Sequence, residues 1–427
     1  MVFISVLGAF ARSSLLHFDN TFLNWGVTFS CIFLCYKYAY SYSLFFSKTL
    51  IPCGIFLLWA LYGAIAGVTY VDNYWIAKQW LLGITCVSLP CLSYVFYNPD
   101  KTLLILRTWN LWIFPLFLLI IWIIEKDAIH FCFGPVFCLY GLFWMWLPKK
   151  WKCWTAFFLI FMITGDIHAR SQVITGLLCI LFAIVIKFDR FIPKFIIHTV
   201  PWSFYILAIT LLYLGFSGTY NIFNHDEKRG LIYEMVFSNG DFSGDERVIG
   251  EQALTDTRSP IYVEVIESAI NNDYVIFGRT LARGNDSELF STDSFTGRQE
   301  RYANELCHLN IFTWLGLFGL LLYTFIYIIA TWLAAYRSQN IYISYLGVLV
   351  AFHWAFGWIE DMNKFDSLNI GLWLIIAMCL SPRFRRMSNF EFQIWFKSIF
   401  TDKKISSYTT YKLLKLRLNM HLLNLKK

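Results

Sequence analysis

The run His308-Leu-Asn-Ile-Phe-Thr-Trp-Leu-Gly-Leu-Phe-Gly-Leu-Leu-Leu-Tyr-Thr-Phe-Ile-Tyr-Ile-Ile-Ala-Thr-Trp-Leu-Ala334 carries no Asp, Glu, Lys or Arg. Roughly 17–25 apolar residues cross a bilayer, and a backbone in hydrocarbon must satisfy its own hydrogen bonds, so the run reads as a spanning helix. Similar runs lie near 21–36, 50–70, 79–97, 102–124, 129–147, 152–165, 171–187, 196–216, 340–358 and 365–381. The shorter apolar start, 1–11, lacks a signal peptide's basic region and cleavage site and reads as a short or partial span. The period-two alternation of a membrane barrel is absent. The expected fold class is all-α, a polytopic helical membrane protein of about 11–12 transmembrane helices.

Composition agrees. A hydrophobic fraction of 58%, a charged fraction of 15% and a mean hydropathy of +0.54 exclude a soluble globular chain. Much of the net charge of +7 sits after the last apolar run, in Arg383, Arg385, Arg386, Lys397, Lys403, Lys404, Lys412, Lys415, Arg417, Lys426 and Lys427. The positive-inside rule makes that end cytoplasmic. It reads as an anchor on an anionic leaflet, with no nucleic-acid partner. The 11 cysteines fall mostly inside apolar runs and form no CxxC, which supports neither a metal site nor a disulfide framework.

Counting back from that end places Tyr336-Arg337-Ser338 inside, together with the lysine- and arginine-bearing links 187–194, 148–152 and 36–48. The polar stretch from Phe216 to Cys307 then lies outside, and its roughly twofold excess of acidic over basic residues fits that side. Four parts follow: N-terminal transmembrane helices 1–216, a large outer loop 217–307, C-terminal transmembrane helices 308–381, and a basic cytoplasmic tail 382–427. No internal repeat of the transporter kind stands out.

The loop is where water-facing chemistry can be built. Ser259-Pro260 resembles a helix start, and Ile261, Val265, Ile266, Ala269 and Ile270 follow at helical spacing up to Asn271-Asn272-Asp273. Arg258 then stands at a helix mouth, where free N–H groups favour anions. Val275-Ile-Phe-Gly278-Arg279-Thr-Leu-Ala-Arg283-Gly284 reads as a turn flanked by two arginines. Arginine forks match phosphate oxygens bidentately. Arg258 and Arg170 are the first candidates and Arg279 and Arg283 the next; the alternative is an interfacial, salt-bridged or snorkelling arginine. His308, opening an apolar helix near arginines, is favoured neutral, as a general base must be. Its alternative is a capping or packing histidine, the reading given to His353. Glu305 precedes it, and Gly316 and Gly319 would let helices approach closely.

The run from His308 through Gly319 and Leu320 resembles the signature of the O-antigen ligase and Wzy-type polymerase superfamily, in which a histidine closing the large periplasmic loop precedes a Gly-Leu-x-Gly element. Arg258, the following helix and Gly278 resemble that family's loop pattern. Thr164 and Ala169-Arg170-Ser171 resemble its Thr-x-Ser-Arg element, with inserted residues and alanine for serine. Asparagine comes two residues after the histidine, at Asn310, instead of directly after it. The likeness spans about 152–381.

The resemblance implies a metal-independent, cofactor-free, inverting glycosyltransferase of the GT-C type in the bacterial inner membrane, acting on glycans carried by undecaprenyl pyrophosphate. His308 and Arg258 would be catalytic. Arg170, Arg279 and Arg283 would bind pyrophosphate, with Glu305, Asp361 and the neighbouring Glu360 toward the acceptor. A chain-length regulator is a further candidate partner. The reading favours a polymerase of O-antigen or capsular repeat units; the alternatives are an O-antigen ligase acting on lipid A core and, in a different class, a lipid-linked oligosaccharide flippase. A flippase predicts charges buried in mid-span, whereas the polar residues here gather on one face.

Overall fold

The computed structural model describes residues 21–123, 134, 136–164, 170–188, 191–217, 258–287 and 296–400. The apolar start 1–11, the first part of the long loop and the chain beyond 400 lie outside the described residues.

The described chain is 77% helical. Its helices are α1 (Thr21–Ser41), α2 (Ile51–Gly67), α3 (Tyr74–Val87), α4 (Leu92–Phe96), α5 (Pro99–Thr108), α6 (Phe114–Ile120), α7 (Lys149–Thr164), α8 (Arg170–Lys187) and α9 (Lys194–Phe216). After the long loop's helix α10 (Ser259–Asn271) come α11 (Cys307–Tyr336), α12 (Ile341–Phe356), α13 (Ser367–Leu380), α14 (Pro382–Arg385) and α15 (Asn389–Ser398). The only described sheet is a two-residue ladder of β1 (Asn285–Asp286) on β2 (Glu300–Arg301), antiparallel. Five stretches are long and apolar enough to cross a membrane: Ile51–Tyr70, Tyr74–Phe96, Pro99–Ile120, Phe195–Gly215 and Cys307–Tyr336. Val173–Lys187, Ile341–Phe356 and Ser367–Leu380 are apolar but shorter. The protein is an all-α membrane protein.

The central element is α11, which packs on α2, α12 and α13. Its buried face carries Trp314, Tyr323, Tyr327, Ala330 and Ala334. Small residues set its approach to α12: a Cβ on Gly347 would stand 2.6 Å from the Ala334 Cβ. Such close approach is how helices gain contact where the surrounding lipid is as apolar as the side chains.

Gly316 does not serve close helix packing. It adopts φ 71° and ψ −174°, and α11 is broken there. In an unbroken helix the Leu317 and Phe318 amides would donate to the Thr313 and Trp314 carbonyls. Here the segment 275–280 inserts into the break and takes both sets. The Arg279 amide donates to Thr313 O (2.8 Å) and the Thr280 amide to Trp314 O (3.2 Å); the Leu317 amide donates to Val275 O (2.8 Å) and the Phe318 amide to Ile276 O (3.2 Å). Trp59 on α2 donates its indole N–H to the next freed carbonyl, Leu315 O, at 3.0 Å. Irregular backbone between membrane helices persists only where protein satisfies it; segment 275–280 satisfies four of those five groups and Trp59 the fifth. Gly278 (φ 81°) is the matching glycine on the loop, since a Cβ there would lie 2.5 Å from backbone atoms of Trp314, Leu315 and Gly316.

The first part of the expected tail, 382–400, is packed. Phe384, Phe392, Trp395 and Phe396 are fully buried, the Trp395 indole donates to Pro99 O (3.0 Å), and Arg107 Nε donates to Ser398 O (2.8 Å). The basic residues drew the sequence reading to charge, while the aromatic spacing on α15 set the packing.

Candidate functional site

Two polar clusters form at the end of the bundle that carries the loop. The first is built on the link between α12 and α13. α10 starts at Ser259, and Arg258 occupies its N-cap, one residue before the cap expected at Ser259. Its Nη2 lies 3.5 Å from Glu360 Oε2. Tyr262, one turn into α10, donates its hydroxyl to the Trp358 carbonyl. The same link caps α11: the Cys307 amide donates to Glu360 O (3.1 Å) and the His308 amide to Gly357 O (3.3 Å). Arg258, Glu360 and His308 are thus joined through four residues of backbone.

His308 is 1% exposed. Its Nε2 is 2.8 Å from the Trp354 carbonyl oxygen. A carbonyl only accepts, so Nε2 carries the proton, and Nδ1 in the neutral ring is a bare acceptor. Nδ1 is buried and has no hydrogen-bond partner. Gly357 lets the ring sit close, because a Cβ there would stand 3.0 Å from His308 Nε2 and the ring would have to shift by a few tenths of an ångström. The rings of Trp358, Trp354 and Tyr323 surround the imidazole, with centroids at 4.5, 5.4 and 6.1 Å.

The carboxylates near this point differ. Glu305 is 62% exposed and pairs with Arg301 at 3.6 Å. Burial pushes the Glu360 carboxyl above its usual pKa; Arg258 opposes this, while Asp361 and Glu305 add to it. Burial also raises Asp361, against the pull of Lys364 at 3.4 Å. Asp361 further accepts from the Asn363 amide at 3.1 Å, and Asn363 in turn donates to Cys307 O at 2.8 Å. Asn310 exchanges hydrogen bonds with the Asn304 backbone at 2.5 and 2.9 Å, which fixes the strand entering α11.

Arg279 and Arg283 lie in the second cluster, and both are engaged there. Arg279 donates to Asp286 (2.7 Å), Gly284 O (2.8 Å) and Asn272 (3.1 Å), and stands 3.8 Å from Glu300. Arg283 Nε donates to Glu300 at 2.7 Å, and Gly284 N adds a further bond to that carboxylate at 3.1 Å. Burial opposes the Asp286 carboxylate, yet hydrogen bonds from Arg279 and Asn272 hold its pKa below the usual value. This cluster folds the loop segment that fills the α11 break. Arg298 ties the same segment to the link after α2, donating to Tyr70 O at 3.0 Å and Asp72 at 3.3 Å. Arg170 opens α8. His353 donates its Nδ1–H to Leu349 O (2.7 Å), within its own helix.

Sequence reasoning missed Trp358, Gly357 and Tyr262. The available signal was an aromatic-glycine step, Phe356-Gly-Trp358, closing an apolar run next to Glu360-Asp361. Among the described residues, no group of three or more His, Cys, Asp or Glu is arranged to hold a metal ion. No family model, curated protein or solved structure matches this chain.

Proposed function

We propose that this protein is an inverting glycosyltransferase that polymerises undecaprenyl-pyrophosphate-linked oligosaccharide repeat units at the outer face of the bacterial inner membrane. The observation that carries the reading is the state of His308: a neutral ring oriented by the Trp354 carbonyl, with a buried Nδ1 that has no hydrogen-bond partner, beside a link whose Glu360 holds Arg258. Orientation of one ring nitrogen by a carbonyl is what prepares the other as a base.

In this mechanism the donor's pyrophosphate takes the Arg258 fork in place of Glu360, whose 3.5 Å contact is long for a charge-assisted bond. Release of Glu360 is eased by burial, which already favours its protonated form. Arg170 is the second proposed anchor for the phosphates. His308 Nδ1 accepts the proton of an acceptor hydroxyl as that oxygen attacks the anomeric carbon. The glycosyl C–O bond to pyrophosphate breaks with inversion, and Arg258 stabilises the departing charge. Arg279 and Arg283 shape the loop, and Glu305 and Asp361 line the approach of the acceptor.

The test is a polymer ladder in a strain lacking its own polymerase, normalised to membrane-inserted protein. Both His308→Ala and His308→Gln should slow transfer by about 10²–10⁴-fold, the usual worth of a general base. Wild-type ladders from His308→Gln would remove the catalytic role, since glutamine keeps hydrogen bonding but takes no proton. Glycan appearing on lipid A core in place of ladders would identify a ligase.

A further inference from the structure

Trp358 Nε1 is buried without a hydrogen-bond partner, like His308 Nδ1. The two rings are neighbours, with centroids 4.5 Å apart and planes at 49°. An indole N–H only donates, and the bare Nδ1 of a neutral histidine only accepts. They make no bond to each other. Two hydrogen bonds of about 2.8 Å through one shared atom span up to about 5.6 Å, and the 4.5 Å between the ring centroids lies within that reach.

The chemistry of the pair selects its ligand. A cation would meet one acceptor and be repelled by the indole N–H, and an anion would meet one donor and a lone pair. A hydroxyl oxygen alone suits both, donating its proton to Nδ1 while accepting from Nε1. Both residues are also tethered. Trp358 is held to α10 by the Tyr262 bond to its carbonyl, and the His308 ring is held by Trp354. Trp354 and Tyr323 also pack on the imidazole with aromatic surface, with centroids 5.4 and 6.1 Å away.

We propose that His308 Nδ1 and Trp358 Nε1 form a subsite for a single hydroxyl group, supplied by water or by a carbohydrate. As the acceptor-hydroxyl site it rests on the glycosyl-transfer reading above, with Trp358 as the residue that holds the attacking oxygen. As a hydroxyl site it rests on the geometry alone.

The experiment uses the full chain in lipid nanodiscs, labelled with ¹⁵N at histidine and tryptophan, with methyl glucoside as the carbohydrate probe. The ligand-free protein should show His308 as the Nε2–H tautomer and a through-space contact from the Trp358 indole proton to water. Trp358→Phe keeps an aromatic ring and deletes the N–H, and should shift the His308 Nδ1 resonance while leaving the Nε2–H tautomer, which Trp354 sets, unchanged. Loss of the water contact on saturation with methyl glucoside assigns the hydroxyl to carbohydrate. Persistence of that contact assigns the site to water and counts against the transfer mechanism while leaving the hydroxyl subsite in place. An indole proton with no water or sugar contact, together with an unmoved Nδ1 resonance in Trp358→Phe, overturns the proposal.

Discussion

Gly316→Ala tests the joint between the loop and the membrane helices. With φ 71° and ψ −174° the residue lies in a region reached by glycine alone, and a side chain there costs of order 1–3 kcal/mol. The new Cβ would also fall on the Ile276 carbonyl oxygen. The chain can relieve this by expelling segment 275–280 from the break. That forfeits up to four hydrogen bonds, those of Arg279, Thr280, Leu317 and Phe318, at about 1 kcal/mol each. The two routes bracket the loss at about 1–4 kcal/mol, a large share of the roughly 5–15 kcal/mol of a typical fold. The assay is equilibrium unfolding in mixed micelles, with Gly26→Ala in α1 as the control. A Cβ on Gly26 meets nothing within 4 Å, so alanine there should be neutral or stabilising by up to about 1 kcal/mol. Gly316→Ala unfolding within about 0.5 kcal/mol of wild type would refute the reasoning, because the strain alone should exceed that.

Arg258→Ala should abolish chain elongation at normal protein levels, and Arg258→Lys should rescue it poorly because a point charge replaces a bidentate fork; full ladders from the alanine variant would remove Arg258 from the site. Gly357→Ala should displace the His308 ring, whose Nε2 would lie 3.0 Å from the new Cβ, and a Nε2–H tautomer unchanged by ¹⁵N NMR would contradict that packing. The folded pKa of Asp286 is depressed from 3.8, so its pairing with Arg279 stabilises the loop above that value and is lost as pH falls through the lower folded one. Asp286→Asn should therefore lower the melting temperature at pH 7, and the gap to wild type should close on acidification below about pH 4; a gap independent of pH would point to packing instead. For topology, alkaline phosphatase inserted at Ser243 should be active and the same enzyme fused after Lys427 inactive, and the reverse pattern would undo the proposed function.

Hydropathy located the long apolar helices. The runs expected at 50–70, 196–216 and 308–334 match Ile51–Tyr70, Phe195–Gly215 and Cys307–Tyr336 closely, because the need to satisfy every backbone group in hydrocarbon leaves helix as the only answer for a long apolar run. The loop helix was legible from Ser259-Pro260 and the spacing of Ile261, Val265 and Ala269 for the same local reason. Tertiary structure decided the rest. Gly316 looked like a helix-packing residue; its role as a break depends on segment 275–280, some forty residues earlier in sequence, supplying the missing hydrogen bonds. Arg279 and Arg283 looked like Arg258 as residue types, yet Asp286 and Glu300 engage them through a two-residue ladder that no local pattern encodes. His308 was recognisable as a candidate from its position, but its tautomer comes from Trp354 and its neighbour Trp358 from a link that folds back over the start of α11. Local chemistry sets which segments become helices, and only contacts distant in sequence set which polar atoms are left to act.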